Sequence, residues 1–439
     1  MSLASGPGAG PRTLVEKTLA ARSRGPVVPG SRYHAIDVDL IVAHDATFTL
    51  GIDRIEALSL PLPPPEKLLL AADHFAPPSS PERAAILARY VAFLEQRGLP
   101  RDKLFRGICH QLAIEDARVL PNRVIVGADS HTTMAGALGC FATGFGTTDT
   151  LAILATGTAF LEIPASIRLV LAGDLAAEVE GKDLALAMLR ELGEDGALGC
   201  AIEIHDRTES GVPVDARCAL ANHAVECGAT SAAVVPDRLT RAFLAARDGG
   251  AVDDSDWVQP DRGAQYVREI EIDATRLGPL LARPGSPADV AEVADLEGLA
   301  IQQAFIGSCA GGRAAEIEAA ARILKGRRVA PGVRFVVTPA SERVWRETAA
   351  SGALLVLSES GALITNPSCG ACGGIDKGIL AAGEVCVSTS NRNGPGRMGH
   401  RDGRIVLASA ATVAASAVMG RIADPRRLAD GDTRRPAAA

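Results

Sequence analysis

The chain has 439 residues, 47% of them hydrophobic and only 3% aromatic, and its 45 basic and 52 acidic side chains leave a net charge of -7. This length exceeds what one hydrophobic core organises, and the prevalence of small and aliphatic residues predicts several close-packed α/β domains. Because it has no long basic run, secretory signal or apolar stretch of about 20 residues, the sequence disfavours nucleic acid and membrane as partners and predicts a cytoplasmic protein.

Three domains are expected between two disordered ends. The composition of the terminal segments offers too little apolar surface for a packed core. A charged stretch rich in Asp, Pro and Gly, 245–298, is interpreted as a surface excursion or connection. The expected divisions are a disordered N-terminus at 1–12, three domains at 13–190, 191–298 and 299–425, and a disordered tail at 426–439.

The first predicted elements are a helix over 13–22 and a strand over 36–42, where apolar residues alternate. His44 follows this strand directly. The next apolar run ends in the same way, at Asp73 and His74. Polar residues at strand ends lie in the loops from which binding sites are built.

Two further histidines follow apolar segments. His110 follows the run in GICHQL, and Ser130 and His131 come after a short buried strand and Asp129. Three of the four histidines have a carboxylate within two positions, a pairing typical of groups that hold or move protons. We therefore predict one site built from the four apolar-run ends.

Later elements add polar groups to this list. A predicted helix carries Asn222 and Glu226, whose spacing of four places both on one helical face. From Leu299 onward, FIGSC, VRFVVTP and ALLVLS are β-like and each precedes a helical pattern, as in a doubly wound fold. The loop SNRNGPGRMGH then presents Arg392 and Arg397, two guanidiniums suited to carboxylates.

Three cysteines lie among small residues that leave room for an inorganic group. Cys369 and Cys372 are three apart in NPSCGACGG, and Cys309 in FIGSCAGGR is expected near a helix N-terminus, which favours a thiolate. An iron-sulfur cluster, a zinc ion and unliganded thiols remain open on spacing alone, and the third cysteine favours the cluster. The other cysteines are interpreted as ordinary thiols, mostly in the core: Cys109, Cys140, Cys200, Cys218, Cys227 and Cys386.

From about Leu14 to Pro425 the sequence resembles the aconitase superfamily, and within it the large subunits of the two-subunit 3-isopropylmalate dehydratase and homoaconitase group. The resemblance is carried, in the family's order, by AHDAT, DHF, GICHQ, GADSHT, IGSC, SCGAC, STSNRN, GRMGH and ATVAASAVMGRIADP. It implies a three-domain α/β/α assembly around an iron-sulfur cluster, without the C-terminal swivel domain of single-chain members.

The resemblance also implies a role for each site residue. Cys309, Cys369 and Cys372 would hold a 4Fe-4S cluster with one open iron. The implied catalytic pairs are Asp73 with His74, Asp129 with His131, and His110 with Glu226. The implied substrate or cluster neighbours are His44, Ser130, Asn222 and Asn391, with Arg392 and Arg397 as carboxylate-binding arginines.

The implied activity is that of a hydro-lyase acting on a hydroxy dicarboxylate or tricarboxylate. The swivel domain would be supplied as a separate small subunit. The favoured substrate pair is 3-isopropylmalate and 2-isopropylmalate, with homoaconitase, a hydratase of methyl-substituted malate or citrate, and a specialised isomerase as alternatives. A cluster-dependent sensor or RNA-binding protein is the competing class, and the retained histidines and arginines favour catalysis.

The sequence departs from the family's pattern beside the cysteines. Ala310 and Gly311 replace the usual Thr-Asn after the first cysteine, and Ala371 and Gly373 replace Pro and Leu around the pair. Gly394, followed by Pro395, stands where an aromatic residue is usual. The lost bulk and polarity are expected to affect substrate choice or cluster stability.

Overall fold

The computed structural model describes residues 10–25 and 33–429. The expected disorder of 1–9 and 430–439 lies outside these residues. The strands are β1 (His34–Asp37), β2 (Leu40–His44), β3 (Leu68–Ala71), β4 (Val124–Gly127), β5 (Phe141–Gly144), β6 (Thr158–Leu161), β7 (Ala165–Ala172), β8 (Cys200–Asp206), β9 (Ser231–Val234), β10 (Arg268–Asp273), β11 (Leu280–Ala282), β12 (Val290–Glu292), β13 (Gln303–Ile306), β14 (Arg334–Val337), β15 (Leu363–Ile364), β16 (Val385–Ser388) and β17 (Arg404–Ala408).

The helices lie between these strands, as an α/β fold requires. They are α1 (Leu14–Ala20), α2 (Asp45–Phe48), α3 (Ile52–Ala57), α4 (Pro81–Gln96), α5 (Cys109–Ile114), α6 (Thr147–Thr156), α7 (Gly181–Leu192), α8 (Val214–His223), α9 (Arg238–Asp248), α10 (Ser308–Gly311), α11 (Ala314–Leu324), α12 (Glu342–Ala350), α13 (Ala353–Glu359), α14 (Ala410–Met419) and α15 (Pro425–Ala429). The 3-10 helices used below are Ser130–Leu138, Ala224–Cys227 and Gly370–Gly373.

Three main sheets carry the fold. The first is parallel with the order β3-β2-β4-β5, and the second is parallel with the order β10-β7-β8-β9. The third has seven strands, β12-β11-β17-β16-β13-β14-β15, of which only the β11 pairings are antiparallel. Parallel strands deliver the loops at their carboxyl ends to one edge, where open α/β sheets bind ligands.

The sheets divide the chain differently from the expected boundaries. β7 lies before position 190 and pairs with β8, which lies after it. β11 lies within 191–298 but pairs with β17 of the last third. The stretch 245–298 therefore contributes strands to two sheets and is more than a surface connection. At the other end, Pro425–Ala429 forms a short helix with Leu428 buried, so the tail is ordered at least to that point.

Two local expectations are wrong. The alternating run over 36–42 forms two strands in different sheets, because Asp39 ends the first run by accepting hydrogen bonds from Arg22 and from the Val124 backbone. The β-like ALLVLS run forms α13, in which Leu354 and Leu357 are buried and Leu355 is 62% exposed. A spacing of three for the buried positions fits a helix and not a strand.

One apolar cluster joins all three sheets. It includes Leu112 beside the first sheet, Leu220 beside the second and Phe305 in the third, and it reaches Cys309 and Cys372. The thiols therefore lie at the border of a common core. Within the described ranges, none of the helices has the length and apolarity needed to cross a membrane.

Candidate active site

The carboxyl ends of β2 and β3 bring four polar residues together, His44, Asp45, Asp73 and His74, because His44 at the end of β2 is in register with Ala71 at the end of β3. His74 Nδ1 lies 2.7 Å from Asp73 Oδ1, and the His44 and His74 rings stack with centroids 4.1 Å apart. Burial opposes the charge of His74, but Cys369 and Asp73 outweigh it and raise its pKa. Burial and the neighbouring His74 lower the pKa of His44 to about 4, so His44 is neutral where His74 is charged.

Asp45, which the sequence marked only as the carboxylate beside His44 and to which no catalytic or binding role was assigned, organises this corner. Its Oδ1 accepts backbone hydrogen bonds from Ala46 at 3.1 Å and His74 at 3.1 Å, and its Oδ2 accepts one from Phe75 at 2.8 Å. Burial and Asp73 raise the pKa of Asp45 to about 6. The only sequence signal for Asp45 was its place directly after His44.

A second group forms around Asp129, and its pairing differs from the one expected. His110 Nε2 donates to Asp129 Oδ1 at 2.8 Å, whereas His131 Nε2 donates to Glu226 Oε1 at 2.9 Å. The expected pair of His110 with Glu226 is therefore wrong. His110 lies in the first turn of α5 and not after a strand, and from there it reaches the Asp129 loop. Asp129 also accepts from the His131 backbone at 2.8 Å.

A glycine makes this loop position attainable. A Cβ atom at Gly144 would lie 2.3 Å from the Asp129 carbonyl oxygen and 2.7 Å from Ser130 Cα. Only a residue without a side chain lets β5 pass so close to the Asp129–Ser130 turn.

The His131–Glu226 pair is charged. Burial alone would lower the pKa of His131, but hydrogen bonds to Asp129 and Glu226 raise it to about 9. Burial would raise the pKa of Glu226, but the hydrogen bond from His131 and the charges of His131 and Arg392 lower it to about 2. At neutral pH this is an ion pair with both side chains buried.

The three cysteines face these groups across the cleft. Cys309 lies in α10. Cys369 directly precedes the 3-10 helix Gly370–Gly373, and Cys372 is the third residue of that helix. Asn222 Nδ2 donates to Cys309 Sγ at 3.1 Å, and Arg397 Nη2 lies 3.8 Å from Cys372 Sγ. His74 forms a hydrogen bond with Cys369, so the thiols and the first histidine pair are directly connected.

The thiols do not ionise as the sequence suggested. Burial raises the pKa of Cys309. The helix dipole of α10 opposes this effect only weakly, because the helix has four residues. Burial also raises the pKa of Cys369 to about 11, whereas the charge of Arg397 outweighs burial and lowers that of Cys372. Two buried thiols and the partly buried Cys369, with N–H donors and cations directed at them, fit an anionic, thiolate-bound group such as an iron-sulfur cluster.

The backbone around Cys309 is held in an unusual shape. Ser308 has a φ of +67°, in the left-handed region, and Arg313, itself 1% exposed, donates to the Cys309 carbonyl at 2.6 Å. A Cβ atom at Gly311 would lie 2.4 Å from Thr389 Cβ. The departure at Gly311 therefore has a steric reason, since Thr389 fills the space of the missing side chain.

Arginines and asparagines complete the site. Arg392 Nε lies 2.9 Å from both oxygens of Glu226, and its Nη2 donates to Ser130 Oγ at 3.2 Å. The Asn391 side chain donates to Asn222. It also lies between two sulfurs, with its nitrogen 3.6 Å from Cys309 Sγ and its oxygen 3.5 Å from Cys372 Sγ.

A cleft of about 630 Å³ opens over these groups. Glu226, Arg392 and Arg397 line it, together with the rim residues Val225, Gly285, Pro287, Gly373, Gly394, Pro395, Gly396, Glu194 and Asp195. A Cβ atom at Gly394 would meet no atom within 4 Å. The substitutions that depart from the family pattern at Gly373, Gly394 and Pro395 thus widen the mouth of the cleft.

The structure brings all fifteen residues singled out in the sequence together through hydrogen bonds, ring contacts and neighbouring positions in the chain. Three of them, Glu226, Arg392 and Arg397, line the cleft. Sequence reasoning missed the supporting residues Asp45, Lys182, His223, Ser308 and Arg313. The available signal for Lys182 was a lysine in the first turn of α7, just before the apolar run Leu184 to Leu189. The fold and the site together define a class of protein, an α/β protein with thiols, histidine–carboxylate pairs and arginines gathered in one site.

Comparison with known proteins makes the assignment specific, and the chain belongs to the aconitase family. The family's sequence profile (aconitate hydratase) matches residues 27–298 and 293–420. A 3-isopropylmalate dehydratase large subunit of Methanopyrus kandleri is 42% identical, covering 94% of this chain and 99% of that protein. The homoaconitase large subunit of Thermus thermophilus is 40% identical, covering 95% and 98%.

Among solved structures, the chain is similar to the holo-form of aconitase X from Thermococcus kodakaraensis, with a TM-score of 0.48, 11% identity, and coverage of 82% of this chain and 84% of that one. The predictions of family and of fold class are confirmed by the sequence profile and by the relatives that match nearly full length.

Proposed function

We propose that this chain is the cluster-binding large subunit of a hydro-lyase that interconverts 3-isopropylmalate and 2-isopropylmalate, a reaction of leucine biosynthesis. The observation that carries the proposal is the convergence of three thiols, three histidine–carboxylate pairs and two arginines in one site, beside a cleft that the two arginines line. The names of the relatives support the choice of substrate. A biosynthetic enzyme also agrees with the expected cytoplasmic location.

Cys309, Cys369 and Cys372 would hold the 4Fe-4S cluster. When bound, a cluster with one iron not held by cysteine supplies a Lewis acid next to the substrate. Asn222, Asn391 and Arg397 contribute N–H groups beside the sulfurs, which stabilises thiolate charge.

The chain's own residues bind the substrate and hold the protons. Arg392 is fixed by Glu226 and Ser130, which presents its guanidinium to the cleft for a substrate carboxylate. His74 is kept protonated by Asp73 and Cys369, so it is the proton donor for a departing hydroxyl. His110 and His131 are each oriented by a carboxylate and have ring centroids 6.2 Å apart, and neutral His44 stacks on His74.

A separate small subunit is part of this proposal. The chain covers 99% and 98% of relatives that are themselves named large subunits, which supports a partner chain that closes the cleft. The wide glycine-lined mouth is the surface left for that partner and for the substrate's alkyl group.

The test is an activity assay of the anaerobically reconstituted chain with and without a small subunit from the same genome. We expect dehydration of 3-isopropylmalate, seen as ultraviolet absorbance of the unsaturated product, only when both chains are present. Faster turnover of homocitrate would shift the assignment to homoaconitase, which the Thermus relative makes the second candidate. Robust turnover by the single chain would refute the partner, and no turnover of any hydroxy acid by the loaded pair would refute the enzyme.

A further inference from the structure

Lys182 is a buried cation behind the thiols. It is the second residue of α7 and is only 3% exposed. Its Nζ lies 2.6 Å from the Ser390 carbonyl oxygen, 2.7 Å from His223 Nε2 and 3.4 Å from the Thr389 carbonyl oxygen. None of these partners carries a negative charge.

The hydrogen-bond geometry favours the ammonium form of Lys182. His223 Nδ1 lies 2.8 Å from the Ala219 carbonyl oxygen, which can only accept, so Nδ1 carries the proton and Nε2 is an acceptor. Lys182 Nζ therefore faces three acceptors. An ammonium has three N–H groups to satisfy them, whereas a neutral amine would leave one acceptor unfilled.

A buried ammonium requires negative charge nearby. Burial lowers the pKa of Lys182 to about 7, and the charges of Cys372, Glu226 and Cys309 act in the opposite direction. Glu226 is already engaged by His131 and Arg392. The carboxyl next in sequence, Asp183, has its own pKa raised by burial to about 7. The hydrogen bonds of Lys182 to Ser390 and His223 place it directly behind Asn391 and Asn222, which contact the sulfurs, so an anionic group held by the three cysteines would bring negative charge to its side.

Lys182 also ties together the segments that carry the site. The Thr389 and Ser390 carbonyls directly precede Asn391 and Arg392. His223 directly follows Asn222, which donates to Cys309 Sγ. One side chain thus fixes the loop that carries Asn391 and Arg392 and the C-terminal end of α8 that carries Asn222.

We propose that Lys182 is the buried counter-charge and a positioning residue for the anionic group held by Cys309, Cys369 and Cys372. Its ammonium stabilises the added negative charge of a thiolate-bound cluster and, through Ser390 and His223, holds Asn391 and Asn222 against the sulfurs. This inference rests on the cluster assigned under the proposed function.

The test is Lys182→Met, which removes the positive charge and keeps a side chain of similar length. The variant is made in the full chain and reconstituted anaerobically with iron and sulfide. Removing a cation beside a cluster makes an added electron less favourable, so the reduction potential followed by spin resonance should become more negative. The apparent affinity for iron, measured by competition with a chelator, should fall about 10- to 100-fold.

Lys103→Met is the matched control, because it removes the same charge from a surface lysine beside Asp102. It should leave both quantities unchanged. If Lys182→Met fails to fold, Lys182→Gln keeps a donor for Ser390 and should shift the potential in the same direction. An unchanged potential in a folded, loaded Lys182 variant would overturn the inference, as would an equal shift in the control or the failure of both Lys182 variants to fold.

Failure of this inference is distinguishable from failure of the proposed function. If the loaded chain and its partner dehydrate no hydroxy acid but Lys182→Met still lowers the potential, only the function is wrong. If the wild-type chain takes up no cluster, the inference is overturned whatever the activity. If dehydration is found while the potential of Lys182→Met matches that of the wild type, the inference alone is lost.

Discussion

The site has a histidine side and a thiol side, and the two differ in how their buried charges are balanced. The histidine side consists of His44, Asp73, His74, His110, Asp129, His131 and Glu226. Each of its paired histidines has a carboxylate oxygen within 2.9 Å, so this side is complete without a ligand. The thiol side, Cys309, Cys369 and Cys372, has instead the cations Lys182 and Arg397 nearby, while burial raises the pKa of Cys309 and Cys369. The cations on the thiol side support the proposed thiolate-bound cluster and a substrate that carries carboxylates.

The largest effect is expected from breaking the thiol side with Cys309→Ser. The variant should fold but fail to retain the cluster, so absorption, iron content and turnover should all be lost. Cys140→Ser is the control, because the Cys140 thiol is equally buried but donates to the Ala135 carbonyl, a bond that serine can also make. Normal cluster loading in Cys309→Ser would show that the ligands are assigned wrongly.

Breaking the histidine side at Glu226 should have the next largest effect. Glu226→Gln leaves His131 without its buried counter-charge, which costs about 3–5 kcal/mol of unfolding free energy at neutral pH. In the folded protein the pKa of His131 is about 9 against an ordinary 6.5, so its contribution is complete below 6.5 and is lost as the pH rises through 9.

The pKa of Glu226 is shifted the other way, to about 2 from an ordinary 4.5, so its contribution is present above 4.5 and is lost as the pH falls through 2. Denaturant unfolding of the wild type and Glu226→Gln should therefore differ most between about pH 4.5 and 6.5, and the difference should shrink above pH 9. A difference that stays constant from pH 5 to pH 10 would contradict the ion pair.

Asp73→Asn tests the histidine side because it removes the negative charge of Asp73 and keeps a hydrogen-bonding side chain of similar shape. His74 loses the charge that keeps it protonated, and kcat should fall about 100-fold, or about 2.7 kcal/mol of barrier. Cluster loading should be retained, which separates this variant from Cys309→Ser. Asp402→Asn makes the same change beside His400 on the surface and should be silent. Equal rates for wild type and Asp73→Asn would remove His74 from the proton-donor role.

The smallest effect is expected at Asp45, which supports the histidine side from behind. In the wild type, both Asp45 oxygens accept hydrogen bonds from backbone N–H groups. Asp45→Asn replaces one oxygen by an NH₂ group, which cannot accept, so one backbone N–H loses its partner and the unfolding free energy falls by about 1–3 kcal/mol. Urea unfolding measures this loss, with the exposed Asp53→Asn as the control. Turnover should fall less than in Asp73→Asn, and a larger loss would give Asp45 a direct role.

Much of the site was readable from local signals. The cysteines stand in runs of small residues, and His44 and His74 follow apolar strands, so their types and surroundings marked them without any knowledge of the packing. Local signals failed where one pattern suits two structures. The ALLVLS run fits a strand or a helix, and Gly352 with the packing of Leu354 and Leu357 decided for the helix.

The sequence by itself determined the family, the α/β class, the three cysteines and the set of candidate side chains, because these depend on residue type and on order along the chain. Only the tertiary structure decided which groups pair. His110 meets Asp129 across 19 positions, His131 meets Glu226 across 95, and Lys182 meets Ser390 across 208. Such contacts arise from how three sheets pack against one another, and no local pattern encodes them.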